Sequence, residues 1–320
     1  MEINLLDFYS RLGTIAIILV LGFLLGKLKL ISPKTNKDLV SLLLTVFMPA
    51  SLFMAFPTAY SNETSGIFLA GLIGGFIVMI GVTLISLLIF NKKWYKSKLR
   101  YESQFALIFN NATFLGYPII SSTFGPQSTA VIAYCGFIIA FNIALFSYGV
   151  YLFKHKIDGK LILNVITNPN IIAVVLGVVV FLTSFQVPAF INDAVKYTGN
   201  ATTALSIICV GYMLSTAKFA QLFKKWKLAI TALVQLIVGP LATYLLLIAI
   251  QYVARGAGFD FPDEVVVVCT LIQALPTATS LGLFASKYGG DEKEASQLVT
   301  LSTLFSIITL PLMVSILLIH

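Results

Sequence analysis

The stretch Asn110-Asn111-Ala112-Thr113-Phe114-Leu115-Gly116-Tyr117-Pro118 decides how this chain is read, together with Gln273-Ala274-Leu275-Pro276-Thr277-Ala278-Thr279-Ser280-Leu281-Gly282. Each lies near the middle of an apolar run long enough to span a bilayer. Each places proline, glycine and amide or hydroxyl groups where a plain spanning helix is apolar, and both contain Ala-Thr-x-Leu-Gly, at 112–116 and 278–282. Proline lacks an N–H and clashes with the preceding turn, so Pro118 and Pro276 are expected to open their helices. Backbone groups freed in a membrane survive only where they are buried in protein or line a wet cavity. Paired broken spans at matching positions of two halves mark a transporter's binding site. For one such segment alone, a simple kink satisfied by threonine and serine hydroxyls is an equal reading.

Composition sets the surroundings. Hydrophobic residues make up 58% of the chain and charged residues 11%, against about 25% charged in a soluble domain. Ten spans are predicted, at roughly 8–27, 37–56, 65–90, 101–122, 127–152, 163–184, 197–217, 227–253, 263–286 and 295–319, giving an all-α polytopic membrane protein. Of the 21 basic residues, all but Arg11, Lys196 and Arg255 fall at alternate connections, from Lys27 through Lys92, Lys154 and Lys225 to Lys293. The positive-inside rule then places those loops in the cytoplasm and both termini outside the cell membrane. The net charge of +8 thereby reads as topology and contact with anionic lipids, not as a nucleic-acid surface. Glu2 and Asp7 replace the basic start of a cleavable signal. Cys135, Cys209 and Cys269 are scattered within spans, and His155 and His320 are expected at the solvated surface, so no metal or cofactor is expected. There is no His-Glu-x-x-His, Gly-x-Ser-x-Gly or P-loop lysine, which argues against an enzyme and against direct use of ATP.

The two halves, 1–155 and 156–320, align at three anchors. Val20-Leu21-Gly22 matches Val175-Leu176-Gly177, the helix breaker Pro49 matches Gly211, and the Ala-Thr-x-Leu-Gly strings match. Five spans per half force two inverted five-helix repeats, with spans 4 and 9 broken and the site at the midplane between them. No ionisable residue lies deep in a predicted span; Glu102 sits at a cytoplasmic end. That favours an anion held by neutral donors and helix N-termini. The candidate contacts are Asn110, Asn111, Thr113, Gly116, Pro118, Gln273, Pro276, Thr277, Thr279 and Ser280. Asn142, mid-span 5, either lines the cavity or bonds a neighbouring helix. Pro49 with Ser51 shapes a cavity wall or dimer face, or is a packing kink. Gly22/Gly26 and Gly71/Gly75 predict close helix contacts, and Trp94 and Trp226 predict interfacial anchors.

With its Asn-Asn-x-x-Phe-Leu-Gly-x-Pro core in span 4 and Leu-Pro-Thr-Ala-x-Ser core in span 9, the chain resembles the auxin efflux carrier family over essentially its whole length. Bacterial members are often described as malate or malonate permeases. The resemblance implies unwound spans 4 and 9 crossing at Pro118 and Pro276, with Asn110, Asn111 and Gln273 nearby. It also implies a dimeric scaffold and a transport domain that moves like an elevator. The long central loop of the plant carriers is absent. A sodium-coupled organic anion symporter of the bile-acid-symporter type and a ligand-sensing receptor remain as other readings.

Overall fold

The computed structural model describes residues 5–56, 61–92, 95, 99–156, 163, 165–216 and 225–317. Expectations resting on Glu2, Lys93, Trp94, Lys96, Lys98, Lys160, Lys218, Lys224 and His320 lie outside these residues. The described chain is helical, and its lone β-bridge joins Asn110 to Thr277. In order, the helices are α1 (Leu5–Lys27), α2 (Pro33–Phe53), α3 (Asn62–Ile89), α4 (Leu99–Ile108), α5 (Tyr117–Phe124), α6 (Thr129–Lys154), α7 (Pro169–Thr183), α8 (Ala189–Ser215), α9 (Trp226–Gly256), α10 (Asp263–Gln273), α11 (Leu281–Tyr288) and α12 (Glu292–Leu317). Six of them, α1, α2, α3, α6, α9 and α12, are long and apolar enough to cross a membrane. Large apolar side chains such as Ile17, Leu88, Ile172 and Ile308 point outward. Exposed apolar surface on this scale belongs in lipid.

The helices sort into two packing groups. α1 packs along α8, and α2 against α7 and α8. The second group joins α3 to α6, α9 to α12, and the α4–α5 and α10–α11 arms among them. Glycines set the closest approaches. A Cβ at Gly22 would strike the Ile208 backbone, and one at Gly26 the Ser215 side chain. Gly71 meets the Ala133 carbonyl, and Gly75 meets Ala140 and Phe137. Both predicted glycine pairs therefore mark helix contacts, α1 on α8 and α3 on α6.

Two expectations need correction, and one left open is resolved. Gly211 does not break its helix: α8 runs on to Ser215, and Gly211 instead lets the Leu19 carbonyl approach. α8 also begins at Ala189, right after Pro188, well before the predicted 197. Its first turns carry exposed Asn192, Asp193 and Lys196, which hydropathy reads as loop although they are compatible with a helix. Pro49 follows a π-helical turn, Leu43–Phe47, and the Ser51 hydroxyl donates to the Gly199 carbonyl at 2.6 Å. The Pro49–Ser51 segment is thus a packed kink between α2 and α8.

Candidate functional site

The two broken segments meet. α4 ends at Ile108, and the last helical bond of this arm runs from Phe109 N–H to the Phe105 carbonyl at 2.8 Å. The chain then turns through Asn110 and Asn111 into a π-helical turn, Ala112–Gly116, where Gly116 N–H donates to the Asn111 carbonyl at 3.0 Å. In the other arm, α10 ends at Gln273 and α11 starts at Leu281. Across the gap, Asn111 N–H donates to the Pro276 carbonyl at 2.7 Å, and Ala278 N–H donates to the Phe109 carbonyl at 2.9 Å. Each break thus satisfies the other's backbone, as a dry interior requires.

Side chains lock this crossing. Asn110 Nδ2 donates to the Ile272 carbonyl at 3.1 Å and to Gln273 Oε1. Gln235 Nε2, from α9, donates to Asn110 Oδ1 at 3.1 Å and to the Leu275 carbonyl at 2.7 Å. Thr277 N–H donates to Ser302 Oγ at 3.1 Å, and its hydroxyl reaches Gln235 Oε1 at 3.5 Å. Tyr134 OH donates to the Ala112 carbonyl at 3.0 Å. Asn111 Oδ1 caps Phe114 N–H at 3.3 Å. With their oxygens so engaged, Asn111 Nδ2 and Gln273 Nε2 are left as buried donors without a protein partner. Buried donors are seldom left orphaned, and each one needs a reason.

Asn110, Asn111, Gln273, Pro276 and Thr277 come together at the crossing, with Gly116 pressed near Leu275. Thr113 is half-buried in the π-helical turn, which packs against α8. Thr279 and Ser280 are half-buried between the crossing and α11. Pro118 does not sit at the crossing. It lies seven residues past Asn111 in one continuous helix, the π-helical turn leading straight into α5, and the N–H of the residue before it, Tyr117, is already bonded to the Ala112 carbonyl. Asn142 also turns out otherwise. Its Nδ2 donates to the Ile138 carbonyl at 2.7 Å and its Oδ1 accepts from Asn168 at 3.2 Å, a bond between α6 and the cap of α7.

A cleft of about 880 Å³ lies beside the crossing, on the seam between the packing groups. α8 and the start of α2 form one wall, and Thr279, Gly282 and the polar face of α12 form the other. Gln235 and Ser302 escaped the sequence reading because a lone polar side chain on a spanning helix carries no motif. The signal available was an amide in the middle of span 8. Glu102 is fully buried rather than at a wet edge, its Oε1 accepting from Asp291 N–H at 2.8 Å.

A family model described as "Membrane transport protein" matches the chain twice, over residues 8–159 and 153–314. The uncharacterized transporter YfdV of Escherichia coli is 23% identical over 316 residues, covering 95% of this chain and 96% of YfdV. The uncharacterized transporter MJ1031 of Methanocaldococcus jannaschii is 22% identical over 309 residues, covering 93% of this chain and 95% of its own. The crossed breaks thus lie inside a multi-pass membrane protein, and the chain belongs to the auxin efflux carrier-like family of membrane transport proteins.

Proposed function

We propose that this protein is a secondary carrier of small organic anions, dicarboxylates or auxin-like carboxylates, working by alternating access at the crossed breaks. The observation that carries the reading is the pair of buried, unpartnered donors, Asn111 Nδ2 and Gln273 Nε2. Their amides are oriented by Phe114 N–H and Asn110, so each presents N–H rather than oxygen. Neutral donors at a helix break suit a carboxylate and leave a cation without its ligands.

In this reading ten spans form two inverted repeats, 1–155 and 156–320. The packing supports it: α1 on α8 is echoed by α7 on α2, and α3 on α6 by α9 on α12. The group holding the crossing slides past α1, α2, α7 and α8, carrying substrate as an elevator. The exposed apolar faces of α1 and α7 suit lipid or a second copy, so a homodimer is part of the proposal. Both termini face outside the plasma membrane, as the basic loops require.

The test is uptake of labelled malate, malonate and indole-3-acetate into proteoliposomes, with pH, sodium and voltage gradients imposed separately. Saturable uptake with a raised KM in Asn111→Ala supports the proposal. Folded protein that moves none of the three overturns it and favours a receptor.

A further inference from the structure

The cleft beside the crossing has a one-signed lining. Among its described residues Lys293 is the single charged side chain, and no carboxylate faces it. The acids next to Lys293 are directed elsewhere. Glu294 pairs with Lys225 at 2.9 Å, the Asp291 carboxylate accepts from Glu294 N–H at 2.9 Å, and Glu292 lies outside the lining. Lys293 itself is exposed and makes no ion pair among the described residues. Both walls also hold unsatisfied amides: Asn36 Oδ1 on α2 and Gln297 Oε1 on α12 are buried and unpartnered. No described neighbour holds the Gln297 amide, so a flip that presents its NH₂ to an anion breaks no described bond.

The spacing sets the size of the ligand. α11 and α12 form a hairpin in which a Cβ at Gly282 would lie 3.2 Å from Ser296 Oγ. Thr279 is three residues before that contact, in the turn that leads into α11, and Lys293 is three residues before it in antiparallel α12. At about 1.5 Å per residue the two lie roughly 9 Å apart along the hairpin. The flexible four-carbon stem of lysine spans much of that interval.

We propose that Lys293 receives the second carboxylate of a small dicarboxylate held in this cleft on its way to the Asn111 and Gln273 donors, the first carboxylate resting against the turn that carries Thr279, so that the protein prefers dianions to monoanions. This rests on the carrier reading above and narrows it.

The experiment measures labelled malate uptake in proteoliposomes with succinate and butyrate as competitors, four-carbon acids with two carboxylates and one. Wild type is inhibited more strongly by succinate. Lys293→Gln raises the half-inhibitory succinate concentration about fivefold, the scale of one exposed charge pair, and leaves that of butyrate unchanged. Lys293→Arg keeps the succinate preference. A Lys293→Gln carrier that retains the wild-type gap, or loses both competitors equally, overturns this proposal alone. A folded wild-type protein that moves no carboxylate overturns the carrier reading and this one with it.

Discussion

Replacing Gln235 with leucine tests whether the crossing is held by its side-chain network. Gln235 is fully buried on α9 and donates to both arms, to Asn110 Oδ1 and to the Leu275 carbonyl. Leucine keeps most of the volume and strands both acceptors in a dry site. An orphaned buried acceptor costs about 1–3 kcal/mol, whereas bonds inside membrane bundles average only about 0.6 kcal/mol. Two acceptors then place the loss at about 1–6 kcal/mol. For a chain of this size that is a fall of roughly 2–12 °C in Tm, read by circular dichroism in detergent. Transport falls with it, because the arms no longer hold their register. Gln251→Leu is the comparison. Gln251 lies on the same helix and loses bonds to the Phe261 carbonyl and to Asp263, but it is roughly 24 Å from Gln235 along the axis. It should lose stability while its KM for malate stays at the wild-type value. A Gln235→Leu protein within about 0.5 kcal/mol of wild type, with unchanged flux, refutes the argument.

Pro276→Ala supplies an N–H inside the gap and lets α10 wind toward α11, so uptake should drop about tenfold, equivalent to about 1.4 kcal/mol. Pro118→Ala adds one N–H to a helix that is already continuous beyond the gap and should keep flux within about twofold; equal losses in the two uptake assays would contradict this difference. Gly71→Ala drives a methyl into the Ala133 carbonyl and should cost about 1–3 kcal/mol. Gly13→Ala meets nothing within 4 Å and should be neutral or stabilising in the same thermal melts. Asn142→Leu should lower Tm through the lost Asn168 bond and leave malate KM unchanged; a raised KM would return Asn142 to the binding site.

The broken arms were legible because prolines, glycines and amides inside apolar runs have few physical explanations. That the two arms cross was implied by the family resemblance, whereas their backbone pairing was not legible, because freed backbone can equally be satisfied by water in a cavity. The place of the gap was read less well. The helix resumes at Ala112 and Pro118 lies within it, and a proline carried inside a resumed helix looks in sequence like one that ends a helix. Asn142 was ambiguous because an amide carries no record of its partner, and Asn168 is 26 residues away. Gln235 and Ser302 contribute through contacts that exist only once α9 and α12 close on the arms. The polar face of α12 hid for a related reason: Lys293, Ser296, Thr300 and Thr303 read as a helix end followed by scattered hydroxyls until the cleft gives them one side.

Each packing group draws helices from both ends of the chain, and this sets the order in which the protein matures. α1 leaves the ribosome with its glycines ready for α8, but α8 is synthesised roughly 160 residues later. At about 5–20 residues per second, α1 waits on the order of 10–30 s. During that time its contact face, shaped for a close helix neighbour, is covered by lipid or by the insertion machinery. α4 and α5 wait about as long for the strand-like partner at 276–278, with Phe109 and Asn111 backbone groups unsatisfied in the bilayer. Nascent chains halted before α10 should therefore be the form that quality-control proteases remove first.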